Sequence, residues 1–165
     1  MKLLSQDPAL KRLSLSNPIH FLALGFGSGL AAKAPGTFGT LAAIPVYLLL
    51  AQLSLPVYLL ATLISVLIGF YICDKAAKDM QVHDHGAIVW DEVAGLLITL
   101  IALPAGWQWL VIGFVLFRFF DIIKPWPIKW LDAKVEGGFG IMIDDVVAGI
   151  FALICVQGLA YFIQF

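Results

Sequence analysis

Residues 91–103, DEVAGLLITLIAL, and residues 144–163, DDVVAGIFALICVQGLAYFI, each place a pair of carboxylates at the head of an apolar run and continue through the same D-x-x-A-G frame. The runs favour helices in a bilayer. The acids oppose that placement, because adjacent like charges resist joint ionisation and hydrocarbon does not solvate them. Four carboxylates at the bilayer centre would cost on the order of 10 kcal/mol, at about 2.5–3.5 each, so the pairs are expected at headgroup depth. A single acid in a first helical turn is ordinary, stabilised by free N–H groups and the helix dipole. Two adjacent acids, repeated in one frame, ask for a further partner, and a bound cation relieves both costs. The small residues Ala94-Gly95 and Ala148-Gly149 let helix backbones approach closely, which would bring the carboxylates together. Hard oxygen ligands at a water-accessible edge suit Mg²⁺, which keeps several waters and also takes phosphate oxygens.

Working outward, the chain of 165 residues is 61% hydrophobic and 13% charged, with mean hydropathy +0.96. Soluble domains are about 45–50% apolar and about 25% charged. The composition therefore predicts an all-α integral membrane bundle, with residues 1–165 forming one membrane-embedded domain and no room for a separate soluble one. A net charge of -1 and a pI near 6.2 offer no electrostatic footprint for nucleic acid. Residues 1–18 lack the apolar core and small-residue cleavage site of a secretory signal and are expected to be retained as a cytoplasmic segment. Cys73 and Cys155 lie far apart in apolar runs and read as packing residues.

Residues 34–73, 93–117 and 146–165 contain no Asp, Glu, Lys or Arg. A hydrocarbon core of about 30 Å takes roughly 20 helical residues. The first stretch then holds two passes, 40–53 and 56–73, broken at Ser54-Leu55-Pro56. Residues 88–123 form a second hairpin broken at Pro104-Ala105-Gly106-Trp107, and 146–163 form a last pass. Five spans follow, or four if 19–52 or 88–117 contains a half-inserted, Gly-rich segment. Both hairpin tips and Gln164-Phe165 then share an uncharged side. Lys2, Lys11, Arg12, Lys33, Lys75, Lys78, Lys124, Lys129 and Lys134 share the other, which the positive-inside rule makes cytoplasmic. Residues 124–143, KPWPIKWLDAKVEGGFGIMI, read as an interfacial loop and candidate lid, with Trp126 and Trp130 at headgroup depth.

Three further patterns carry two readings each. Arg118, Asp121 and Lys124 recur in steps of three on one helical face. They make either a salt bridge that solvates a helix end, or a phosphate site in which Arg118 forks onto oxygens, Lys124 adds a point charge, and Asp121 orients one of them or joins a metal shell. Gly25–Gly29 and Ala34-Pro-Gly-Thr-Phe-Gly-Thr40 are glycine-rich without being a P-loop. They allow either tight helix contact or an anion cradle of backbone N–H groups with the hydroxyls of Ser28, Thr37 and Thr40. His83-Asp84-His85 is a solvated loop or a source of a leaving-group proton.

The strings GFGSGLAAKAPGTFGTLAAIP, AKDMQVHDHGAIVWDEVAG, FRFFDIIKPWPIKWLD and GGFGIMIDDVVAG, running in order from about Asn17 to Gly149, resemble the phosphatidylglycerophosphatase A family of bacterial membrane lipid phosphatases. The resemblance implies Mg²⁺-dependent hydrolysis of the membrane phospholipid phosphatidylglycerophosphate to phosphatidylglycerol and phosphate, and the charge distribution above would put that site at the cytoplasmic face of the inner membrane. The family's motif positions fall on Ala34-Pro35-Gly36-Thr37, Asp91, Glu92, Arg118, Asp121, Lys124, Gly137, Gly138, Asp144 and Asp145. The D-x-D-x-[TV] and S-G-H signatures of phosphatases with covalent intermediates are absent from the sequence, which favours metal-activated water. The expected site has Asp91, Glu92, Asp144 and Asp145 as metal ligands and, with Asp121, as catalytic acids. Arg118, Lys124, Gly36, Thr37 and Thr40 would bind phosphate, and His83 or His85 would be the general acid. A divalent-cation transporter or metal-binding scaffold is the alternative, and transport would place the acids deeper along the spans with a polar route to the far side.

Overall fold

Proline and glycine set most of the helix ends. Pro35 and Pro56 lie in the first turns of α2 (Pro35–Leu50) and α3 (Leu55–Met80), where a missing N–H is harmless, so the charge-free stretch divides near the expected break. Gly106, at φ 121°, takes a conformation open to glycine and turns the chain from α4 (Trp90–Thr99) into α5 (Trp107–Ile123). Asn17 caps the short α1 (Pro18–Ala23), its Oδ1 accepting the Ile19 N–H at 3.0 Å. Two further helices follow, α6 (Ile128–Lys134) and α7 (Gly137–Phe162). The computed structural model describes residues 7–163, and every regular element among them is helical. Lys2, the first part of the 1–18 segment and Gln164-Phe165 lie outside the described residues.

Two helices, α3 and α7, each of 26 residues, are long and apolar enough to cross a membrane. The outer face of α3 presents Leu59, Leu60, Leu63, Ile64, Leu67 and Ile68 to the surroundings. An apolar face of that extent suits contact with a membrane or another protein rather than with water. The short helix α4 sits inside the bundle, with every residue except Asp91 and Glu92 buried, against α2, α3, α5 and α7.

The crossing of α4 with α7 positions the acids. A Cβ added at Gly149 would lie 2.5 Å from the Gly95 carbonyl oxygen, and one at Gly95 would lie 2.9 Å from the Asp145 carbonyl oxygen. Backbone therefore meets backbone, as the small residues of the repeated frame require. Thr99 Oγ1 donates to the Gly95 carbonyl at 3.0 Å and lies 3.4 Å from that of Gly149.

The last helix starts at Gly137 rather than at residue 146, so the stretch 124–143 contains α6 and the first turns of α7. The reason is tertiary. Asp74 of α3 accepts the Gly138 N–H at 3.2 Å and His83 Nε2 accepts the Gly137 N–H at 3.1 Å, supplying acceptors that the local sequence lacks for a helix start. Asp144 and Asp145 consequently fall in the third turn of α7 and are buried, at 6% and 2% exposure.

Candidate active site

In each D-x-x-A-G frame the aspartate precedes the crossing glycine by four residues, about one helical turn, and so projects from the crossing face. One ligand oxygen from each of Asp91, Glu92 and Asp145 lies within 4.8 Å of the others. Asp91 Oδ1 and Glu92 Oε2 are buried and accept no hydrogen bond from the protein. Buried carboxylate oxygens without donors are costly. Two such oxygens, in a group of three converging carboxylates, make an all-oxygen set that fits a hard divalent cation.

The two remaining positions of the pairs diverge. Glu92 follows Asp91 by one residue, and Asp144 precedes Asp145 by one, rotations of about 100° in opposite senses about their own helices. Glu92 Oε1 faces Arg118 Nη1 at 3.9 Å. Asp144 Oδ2 accepts from Lys124 Nζ at 2.6 Å, while its Oδ1 is buried without a partner. Asp144 thus lines the site without joining the three-carboxylate group.

Between these groups lies a cavity of about 190 Å³, lined by His83, Asp91, Glu92, Asp121, Lys124, Asp132, Asp144 and Asp145 among others. Lys124 ends α5 with φ 46° and reaches Asp132 and Asp144, each at 2.6 Å. Burial pulls its pKa down, but the hydrogen bonds to Asp132 and Asp144 outweigh that effect and leave it raised, so the ammonium is kept. Asp132 is absent from the sequence-predicted set. It lies in the stretch 124–143 read from sequence as an interfacial loop, and the turn in which the Ile128 N–H donates to the Pro125 carbonyl lies between Lys124 and the helix that carries it.

On the other wall, Arg118 pairs with Asp121 one turn on, and its Nη1 lies 3.4 Å from Thr40 Oγ1. A Cβ on Gly36 would collide with Glu92 Oε1 and lie 3.2 Å from Arg118 Nη1, so a larger residue there would displace the tips of those two side chains. Gly36, Thr40, Glu92, Arg118 and Asp121 are therefore one group, with Thr37 partly buried in the same turn. The hydroxyl protons of Thr40 and Ser28 go to the carbonyls of Gly36 and Gly25, at 2.8 and 2.7 Å.

The two loop histidines separate. His83 lines the cavity with Nε2 turned to Gly137. His85 turns outward, its Nε2 2.8 Å from Asp7 Oδ2 and its Nδ1 accepting the Ala87 N–H at 3.1 Å. Hydrogen bonds from His85 and the Ala9 N–H hold the Asp7 carboxyl below its usual range.

The sequence profile of the family described as Phosphatidylglycerophosphatase A matches residues 21–160. Phosphatidylglycerophosphatase A of Escherichia coli (strain K12) is 54% identical over 159 residues, covering 96% of this chain and 90% of that protein. The Haemophilus influenzae protein of the same name is 52% identical over 160 residues, covering 96% of this chain and 98% of its own. A Bacteroides thetaiotaomicron protein, provisionally named a phosphatidylinositol-3-phosphatase, is 37% identical over 142 residues, 82% of this chain and 89% of that one. No solved structure matches the chain. Similarity of this extent, covering both acidic frames and the residues that surround the cavity, establishes that the chain belongs to the phosphatidylglycerophosphatase A family.

Proposed function

We propose that this protein removes the terminal phosphomonoester of phosphatidylglycerophosphate, giving phosphatidylglycerol and phosphate, at the cytoplasmic face of a bacterial inner membrane. The observation that carries the reading is the convergence of Asp91, Glu92 and Asp145 beside a cavity that also holds Lys124, in a chain of this family.

In this reading Asp91, Glu92 and Asp145 hold Mg²⁺, whose hard, all-oxygen preference matches the donor set. When bound, the ion supplies charge neutralisation at the phosphoryl oxygens and a more acidic water. Asp144 keeps Oδ2 on Lys124 and offers its unpartnered Oδ1 to orient the attacking water. Lys124 and Arg118 approach the phosphate from two walls. Arg118 has a buried Nε that makes no hydrogen bond in the protein, and its planar fork suits phosphate oxygens. Asp121 holds that guanidinium in place, and Gly36 and Thr40 complete the wall behind it. His83, which lines the cavity, is the candidate for protonating the leaving alkoxide, which it could do as imidazolium only after Nε2 releases the Gly137 N–H it accepts here; His85 is engaged by Asp7.

The chain acts as one membrane-embedded domain. Its helices α2, α3, α5 and α7 cross the bilayer, and α4 completes a fifth pass inside the protein. At about 1.5 Å per residue, the ten residues of α4 cover only half of the hydrocarbon. Irregular backbone beyond Thr99 is tolerated there because protein rather than lipid surrounds it. Trp126 and Trp130, exposed at 82% and 55%, set α6 at headgroup depth. A lipid substrate then needs only its phosphorylated head to reach the cavity.

The test is phosphate release from phosphatidylglycerophosphate in detergent micelles, with Mg²⁺ or with a chelator. Mg²⁺-dependent turnover is expected. Folded protein without turnover, or turnover indifferent to chelation, would overturn the assignment.

A further inference from the structure

We propose that Asp132 is a positioning residue of the phosphatase site, holding the Lys124 ammonium across the cavity so that its third N–H meets a phosphate oxygen of the substrate. The proposal rests on the phosphatase reading above and adds to it a residue on α6, outside both acidic frames.

The geometry is a clasp of two carboxylates on one ammonium. Lys124 Nζ lies 2.6 Å from Asp132 Oδ1 and 2.6 Å from Asp144 Oδ2. An ammonium has three donors, so two are engaged and one remains. The two acids hold it from different depths. Asp144 is fixed within α7 with its side chain 9% exposed, whereas Asp132 approaches from the outer rim at 40%. With Asp144 alone, a flexible four-carbon stem would direct the charge inward onto that carboxylate. The second carboxylate draws it back over the cavity that all three residues line.

The supports of Asp132 are rigid enough for this task. Ile128, one helical turn before Asp132, is fully buried, and its N–H donates to the Pro125 carbonyl at 2.8 Å. Lys124 itself adopts φ 46°, a left-handed conformation that a non-glycine residue keeps only where surrounding contacts impose it. A partly exposed ion pair contributes little to stability. The effect of losing Asp132 is therefore expected in substrate binding and turnover rather than in folding.

The experiment is a double-mutant cycle on the full chain in detergent, with kcat and KM measured for phosphatidylglycerophosphate at saturating Mg²⁺. Asp132→Asn is expected to lower kcat/KM about 10-fold, chiefly through KM, the scale typical of a residue that orients another. In a Lys124→Met background the same substitution should change kcat/KM less than about twofold, because residues that act through one contact are not additive. Asp132→Glu should recover most of the loss, and inhibition by inorganic phosphate should weaken in Asp132→Asn as KM rises. Thermal unfolding should be unchanged. Multiplicative losses in the double variant, an unaltered KM in Asp132→Asn, or a loss that tracks a fall in thermal stability and is not recovered by Asp132→Glu would overturn the proposal. An inactive wild type would instead overturn the phosphatase reading on which it rests.

Discussion

The two acidic pairs share a sequence frame and differ in surroundings. Asp91 and Asp145 occupy the same place in the frame, one turn before glycines that touch across the α4–α7 crossing, and both enter the three-carboxylate group. Their neighbours do not match. Glu92 joins that group and faces Arg118, whereas Asp144 leaves it for Lys124. The repeated frame thus fixes where two carboxylates meet, and the position of the extra acid, after or before the frame aspartate, decides which cation it faces.

That contrast can be broken by substitution. The largest loss is expected from Asp91→Asn and Asp145→Asn, each lowering kcat by on the order of 10³-fold, since either removes a preorganised charge at the reacting centre. Asp144→Asn should cost less, about 10–100-fold, as for a residue that orients its neighbours. Equal losses at Asp144 and Asp145 in steady-state assays would erase the distinction between them. Next comes the crossing itself. Gly149→Ala forces a Cβ against the Gly95 backbone and should destabilise the protein by about 1–3 kcal/mol while impairing both pairs together, as read by thermal unfolding and turnover.

Gly36→Ala should act first on the Glu92 and Arg118 side of the site. It displaces Glu92 and Arg118, so KM is expected to rise about 10-fold while Asp144 and Lys124 keep their contact, a split visible if Lys124→Met remains fully additive with it. The smallest effect is expected at a carboxylate of neither pair. Because Asp7 has a lowered pKa in the folded protein, its contribution is present above the unfolded value near 3.8 and is lost as pH falls through the lower folded value. Asp7→Asn should therefore lower the thermal midpoint slightly at neutral pH, with the difference vanishing in strong acid and activity unchanged.

The legible parts of this molecule were those written in local chemistry. Pro56 and Gly106 mark hairpin breaks wherever they stand, and Ala94-Gly95 with Ala148-Gly149 announce close helix contact without knowledge of the partner. The start of α7 was not legible, because its caps come from Asp74 and His83, distant in sequence from Gly137. Nor was the separation of Asp144 from Asp145, which depends on how the third turn of α7 is rotated against α4 and α5. The partnership of Lys124 with Asp132 requires the α5–α6 turn, and His85 is drawn from the site by Asp7, far away in the chain.

The central claim is that Asp91, Glu92 and Asp145 form one cation site that Asp144 borders without entering. It is tested most directly by titrating detergent-purified protein with Mn²⁺, a spectroscopically visible substitute for Mg²⁺, and following free ion by electron paramagnetic resonance. The account predicts that wild type and Asp144→Asn bind the ion with similar affinity, and that Asp145→Asn loses binding. Retained binding in Asp145→Asn, or its loss in a folded Asp144→Asn, would contradict it.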